Sequence, residues 1–294
     1  MKSGHSVQTE VFASAPSDPT ENPEASFPRF SLLDVRLTAT RIEQAVRRIV
    51  MLSKRPDVRR HICVFAVDSL LRAHGNPRLS AIANASDMTL CDGMPLVLVG
   101  RRIAKQDMSR CYGPDVMLHV CDEGRAAGVK HFLYGGSNQE VLEKLKANLT
   151  AKFPGLEIVG DYCPPFRPLT EEEQSDVVSR INASGADIVW VGIGTPKQDY
   201  WVTDMRAALK PSLLIAVGAA FNFHAGTVKQ APQWMRRNCL EWLYRLLVEP
   251  RRLWRRYILG NPHFLFLLLR QALTRKPFRL GEVFDGKMPP TKQA

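Results

Sequence analysis

Five apolar runs rich in Val and Ile are spaced along the chain: HICVFAV (His61 to Val67), KHFLYGG (Lys130 to Gly136), LEIVG (Leu156 to Gly160), DIVWVGIG (Asp187 to Gly194) and SLLIAVG (Ser212 to Gly218). None alternates strictly between apolar and polar residues, so each predicts a strand covered on both faces. Between them, SNQEVLEKLKANLTAKF and TEEEQSDVVSRINAS carry apolar positions at helical spacing. The second opens with Thr170 and Glu173 at the separation of a capping box, in which each side chain accepts from the other's backbone N–H. Strand, helix and strand repeated in this order predict an α/β fold, a Rossmann-like, mostly parallel sheet with flanking helices. No internal repeat is evident.

The 294 residues, 45% of them hydrophobic, suffice for a full core. Residues 1–28 are rich in Ser, Pro, Glu and Thr, lack the apolar stretch of a signal peptide and read as a disordered leader. Six cysteines without a CxxC pair or regular spacing read as reduced thiols in a cytoplasmic setting. The longest apolar run, FLFLLL (Phe264 to Leu269), falls far short of the roughly 20 residues that a membrane span needs.

The net charge of +11 calls for an anionic partner: nucleic acid, an acidic membrane surface or a phosphorylated substrate. Its location narrows the choice. Between Val228 and Gly281, twelve Lys and Arg stand against Glu241 and Glu249. In NCLEWLYRLLVEPRRLWRRYILGNPHFLFLLLRQAL the arginines alternate with Trp, Leu and Phe at helical spacing, with breaks expected at Pro250 and at Gly260-Asn261-Pro262. Such basic, aromatic helices suit an anionic membrane surface. A helical subdomain packed on the core is the other reading. No zinc spacing or RNA-binding sheet motif supports nucleic acid. The chain thus divides into the leader at 1–28, an α/β core at 29–232 and a basic, amphipathic helical appendage at 233–294, read as membrane-associating.

In parallel sheets ligands bind at the carboxyl ends of strands. Two loops qualify. YGGSNQEV sets Gly135 and Gly136 before a helix whose free N–H groups can receive an anion, or else forms a tight turn without a ligand. GIGTPKQ, from Gly192, lacks the third glycine of a dinucleotide fingerprint, where Lys197 stands, and lacks the Gly-Lys-Ser/Thr of a Walker A loop. What it offers is close backbone approach at Gly194, Thr195, the charge of Lys197 and the donor and acceptor of the Gln198 amide, all suited to a phosphate or a sugar hydroxyl. Asp92, in LCDGMP, and Arg110 with Asp115, in SRCYGPDV, are charged groups at loops. Read alone they are equally an ordinary Asp-Gly turn and a loop ion pair or helix cap.

Taken together, GIGTPKQDYW, VGAAFNFHAGTVKQAPQWMRR, LEWLYRLLVEPRRLWRRYILGNP, CDGMP and RCYGPD closely resemble the WecG/TagA/CpsF family of bacterial glycosyltransferases, from about Phe30 to Gln271. The resemblance implies transfer of a sugar from a nucleotide diphosphate to a polyprenyl-diphosphate-linked saccharide, with inversion, without a required metal or cofactor, and at the inner face of the cytoplasmic membrane. It implies Asp92 as catalytic base, with Arg110 and Gln198 in the pocket. It also implies that Arg245, Arg252 and Arg255 belong to an appendage that completes the site at the membrane and neutralises the leaving diphosphate. Gly135, Gly136, Gly194, Thr195, Lys197 and Asn222 are then candidate substrate contacts. A homo-oligomer remains open, and no nucleic-acid partner is expected.

Two departures bear on the donor. Where the family often carries Thr-x-Asn, this chain has Val64-Phe65-Ala66, with Asp68 or Ser69 as candidate replacements. Asn222 stands where Asp is frequent. The expected donor is UDP-glucose, from the exopolysaccharide style of FNFHAG and APQWMRR, with UDP-ManNAc or UDP-ManNAcA as the alternative. A nicotinamide-dependent oxidoreductase, and a non-catalytic module binding membrane or nucleic acid, are the competing classes.

Overall fold

The computed structural model describes residues 18–274. An antiparallel hairpin, β1 (Arg29–Leu32) and β2 (Val35–Thr38), leads into α1 (Ile42–Ser53). The core follows as β3 (Arg60–Phe65), α2 (Val67–His74), α3 (Pro77–Ala85), β4 (Met88–Cys91), α4 (Met94–Ala104), α5 (Gly113–Glu123), β5 (Lys130–Gly135), α6 (Gln139–Lys152), β6 (Glu157–Tyr162), α7 (Glu171–Ala183), β7 (Ile188–Gly192), α8 (Lys197–Met205), β8 (Leu213–Ala216) and α9 (Ala220–His224). All five expected strands form, and Thr170 and Glu173 make the expected capping box. The hairpin and β4, four residues each, are additions.

The six core strands pair in parallel in the order β4-β3-β8-β7-β5-β6. Residues two apart on a strand point to the same face. Ile62 and Val64, Ile188 and Trp190, and Leu213 and Ile215 therefore join α1, α5 and α6 in one apolar layer. Cys63 and Phe65 enter the opposite layer with α2, α3, α4 and the hairpin, while Val189, Val191, Leu214 and Ala216 meet α7 and α8 on that same side. Coverage on both faces explains why these strands read as unbroken apolar runs.

Part of the expected leader is structured. Phe27 is buried, and Arg48 of α1 donates to the Pro19 carbonyl at 2.8 Å while its guanidinium pairs with Asp87 at 2.8 Å inside the protein. Residues 1–17 lie outside the described residues.

After the core come α10 (Gln233–Arg237), α11 (Glu241–Val248), α12 (Pro250–Trp254), one π-helical turn (Arg255–Leu259) and α13 (Gly260–Leu273). The break expected at Gly260-Asn261-Pro262 is absent. Helix α12 passes through the π turn into α13 without interruption, the wider turn absorbing the proline that would otherwise oppose a regular helix. Helix α13 packs on α2 and buries Phe264 and Leu267 in the core layer, and its Gln271 accepts from the Leu33 N–H at 3.2 Å. Leu265, Phe266, Leu269 and Leu273 remain exposed on it. Among the described residues, no helix is long and apolar enough to cross a membrane. Residues 275–294 of the expected appendage lie outside the described residues.

Candidate active site

Asp92 is the residue that follows β4. Its N–H donates to the Phe65 carbonyl at 2.9 Å, which extends the β3–β4 ladder by one residue, and Gly93 then caps α4. This places the carboxylate at the carboxyl edge of the sheet. The side chain keeps 23% exposure, but Oδ1 is closed from solvent and has no hydrogen-bond partner. Burial pushes the carboxyl up to about 6. Arg110 pulls against that rise, Glu241 adds to it, and Arg256 and Arg245 oppose it. A carboxyl titrating there is charged at neutral pH and still basic enough to take a proton.

Arg110 is the hub of the site. Its Nε donates to the main-chain carbonyl of Asp92, one Nη lies 2.7 Å from the Glu241 carboxylate and 3.6 Å from that of Asp92, and its guanidinium stacks on Tyr112 at 4.1 Å. The Tyr112 hydroxyl is buried and unpartnered, and burial pushes it far up, so it remains a protonated donor. Arg245 lies over the Phe223 ring at 5.7 Å with its Nε buried and unpartnered. Orphaned buried donors next to a poised carboxylate are groups prepared for a polar, anionic ligand.

The GIGTPKQ loop is organised from within. Gln198 is 2% exposed; its carbonyl accepts from the N–H groups of Gly218 at 2.9 Å and Gly194 at 3.2 Å, and its amide donates to Thr195 at 3.2 Å. In the structure Gln198 ties the loop after β7 to the loop after β8. Thr195-Pro196 is a cis peptide, Gly194 has φ +84°, and Lys197 is exposed. Beneath the loop, Asp199 is buried with both oxygens unpartnered, and burial pushes it up to about 6.

The other candidates scatter. Gly135 is required by packing, since a Cβ there would come within 2.6 Å of the Gly192 carbonyl oxygen, and Gly136 donates to the same oxygen. The α6 N-terminus is capped by Asn138, which accepts from Val141 at 2.9 Å. These contacts favour the tight-turn reading over an anion seat. Asn222 accepts from Ser137 at 3.3 Å. Arg252 pairs with Glu249 at 2.6 Å, and Arg255 stacks on Trp254 at 5.3 Å. The structure thus brings Asp92, Arg110 and Arg245 together and sets Arg252 and Arg255 elsewhere. Glu241, Tyr112 and Arg256 were not among the site residues expected from sequence. An acid inside so basic a tail was the available signal for Glu241.

The sequence profile described as "Glycosyl transferase WecG/TagA/CpsF family" matches residues 30–277. A relative from Bacillus spizizenii, named N-acetylglucosaminyldiphosphoundecaprenol N-acetyl-beta-D-mannosaminyltransferase, is 31% identical over 210 residues, which cover 71% of this chain and 79% of the relative. The matched span runs from the β1–β2 hairpin past α13, taking in both Asp92 and the tail residues that surround it, and the chain belongs to the WecG/TagA/CpsF family of glycosyltransferases.

Proposed function

We propose that the protein transfers N-acetylmannosamine, with inversion, from UDP-ManNAc to a polyprenyl-diphosphate-linked N-acetylglucosamine. The observation that carries the reaction is the Asp92 carboxylate at the sheet's carboxyl edge, its Oδ1 unpartnered and its pKa lifted to about 6. The donor choice departs from the expected UDP-glucose. It follows the name of the Bacillus relative, a mannosaminyltransferase, and falls on the alternative that the sequence left in place.

Asp92 accepts the proton of the acceptor hydroxyl as that oxygen attacks the anomeric carbon; the bond to the diphosphate breaks on the opposite face, and the configuration inverts. Negative charge grows on the departing diphosphate. Arg110 and Arg245 supply positive charge beside Asp92, and the Tyr112 hydroxyl supplies a donor. The anionic inner face of the membrane is the proposed location, with the exposed apolar side chains of α13 and the tail arginines as the contact.

The test is to incubate the protein with UDP-ManNAc, UDP-ManNAcA, UDP-glucose and NAD, together with a short polyprenyl-diphosphate N-acetylglucosamine, and to weigh the lipid product. Addition of one N-acetylhexosamine supports the proposal. Addition of a hexose returns the donor to glucose, and NAD binding without sugar transfer supports the oxidoreductase.

A further inference from the structure

A second cationic centre lies beside the catalytic one. A cavity of about 360 Å³ is lined by Asp68, Arg72, Arg252, Arg255, Arg256 and His263, so that four arginines face one carboxylate. It joins two parts of the chain: Asp68 and Arg72 belong to α2, while the rest belong to the tail. Asp68 Oδ2 receives both Arg72, at 3.0 Å, and Arg256, at 3.6 Å. The second distance is too long for a hydrogen bond, and the Nε of Arg256 is buried without a partner. Arg252 keeps Glu249 as its own partner at 2.6 Å, so two carboxylates balance four arginines and the cluster retains donor capacity, the buried Nε of Arg256 included.

We infer that this cavity binds the diphosphate of the polyprenyl-linked acceptor, separately from the donor's diphosphate at Arg110 and Arg245. The inference rests on the proposed reaction. A single displacement needs donor and acceptor bound together, and each brings a diphosphate, so two anionic groups must be held at once. The two clusters differ in their surroundings. The one at Asp92 is enclosed by Tyr112 and Phe223. The one at Asp68 is bordered by Leu259, which with Ile258 is exposed on the π turn, and α13 continues from it with the exposed Leu265, Phe266 and Leu269. A diphosphate joined to a long apolar chain matches that border, whereas a uridine diphosphate has nothing to place there. Arginine forks also suit phosphate oxygens geometrically. The Asp92 N–H bonds the Phe65 carbonyl and Asp68 follows three residues after Phe65 in α2, which sets the acceptor site next to the base that must deprotonate the acceptor. Arg256, 3.6 Å from Asp68, also acts on the Asp92 charge. In the free protein Asp68 faces Arg72 and Arg256, and the ligand displaces it.

Arg72 allows a clean test because it sits on the core helix, outside the membrane-contacting tail. Binding to wild type and to Arg72→Gln is measured for three probes: a soluble short-chain prenyl diphosphate, UDP, and phosphatidylglycerol vesicles. The expected result is about a tenfold loss for the prenyl diphosphate, the scale of one charge-assisted contact, with UDP and vesicle binding unchanged. Equal loss of UDP makes the cavity a donor site, and loss confined to vesicles makes it a lipid-headgroup site; either overturns the inference. Asp68→Asn serves as the second variant. It removes the competing carboxylate and is expected to tighten the prenyl diphosphate several-fold, and weaker binding with an unchanged melting temperature is contrary to the inference. Wild type that binds this probe in the cavity yet transfers no sugar would sink the proposed reaction alone.

Discussion

Glu241 on the tail holds Arg110 at 2.7 Å, closer than Asp92 holds the same guanidinium at 3.6 Å. The tail thereby competes with the base for its counter-ion and adds a negative charge of its own. Both effects keep the Asp92 carboxyl high. In Glu241→Gln the carboxyl should titrate lower, because a like charge is gone and Arg110 is free to approach. The base works deprotonated, so kcat/KM should fall as pH drops through about 6 in wild type, and through a lower pH in the variant. An acidic limb that stays in place or moves up would remove Glu241 from this role.

The same elevated carboxyl predicts opposite effects of Asp92→Asn on stability and on activity. The folded-state pKa of about 6 lies above the ordinary carboxylate value of 3.8, so the folded state binds more protons between those limits. Stability should therefore decline as pH rises through that window, and the loss is complete above it. A neutral amide escapes the loss. Asp92→Asn should be more stable at pH 7.5 by on the order of 1–2 kcal/mol, after discounting for residual exposure, while turnover falls by about two to four orders of magnitude. A lower melting temperature together with near-normal turnover would be incompatible with both roles.

Four of the five legible strands, β3, β5, β7 and β8, are covered on both faces, where an apolar run such as IVWV has no polar interruption. β6 is an edge strand with no buried residue, so the double coverage expected of LEIVG does not hold. β4 was not legible as a strand, because MTLC is four residues long and its threonine is buried. The Thr89 hydroxyl donates to the Ala83 carbonyl six residues back, and its N–H donates to the hydroxyl of Thr38, 51 positions away. For the site, Asp92 carried no more local signal than any Asp-Gly turn, and only the combination of motifs raised it. Glu241 is 131 positions from Arg110, a pairing that no local pattern encodes. The bracing by Gln198 was not legible because its loop looks open in sequence, whereas its carbonyl accepts from the N–H groups of Gly194 and Gly218.

That brace predicts a structural cost. Gln198→Ala leaves the N–H groups of Gly194 and Gly218 without their acceptor; a fully buried orphan costs about 1–3 kcal/mol, and these two, being half-buried, cost less. The melting temperature should fall, and the KM for donor should rise because the loop loses its shape, with turnover at saturating donor largely kept. A raised KM with an unchanged melting temperature would mean that the amide meets the donor directly and that the brace is unimportant.

Helix α13 presents two apolar sets with different expected fates. Phe264 and Leu267 point into the layer shared with α2 and the β1–β2 hairpin, and Leu265, Phe266 and Leu269 stand exposed. Truncating the inward pair to Ala should destabilise the fold by several kcal/mol, at about 2–5 kcal/mol for each large core side chain. For the same reason, removal of residues 233–294 should weaken the core, which makes the tail more than a detachable anchor. Changing Leu265, Phe266 and Leu269 together to Ser removes no packing, so the melting temperature should stay within about a degree or two, as surface changes usually do. If this face enters the membrane, the triple variant should lose binding to phosphatidylglycerol vesicles by a large factor, since each buried side chain of this size contributes roughly 1.5–3 kcal/mol. Activity on a water-soluble acceptor should survive, because Asp92, Arg110 and Arg245 are untouched. Unchanged vesicle binding would show that this face does not meet lipid, and loss of activity on the soluble acceptor would show that the outward side chains serve the site itself.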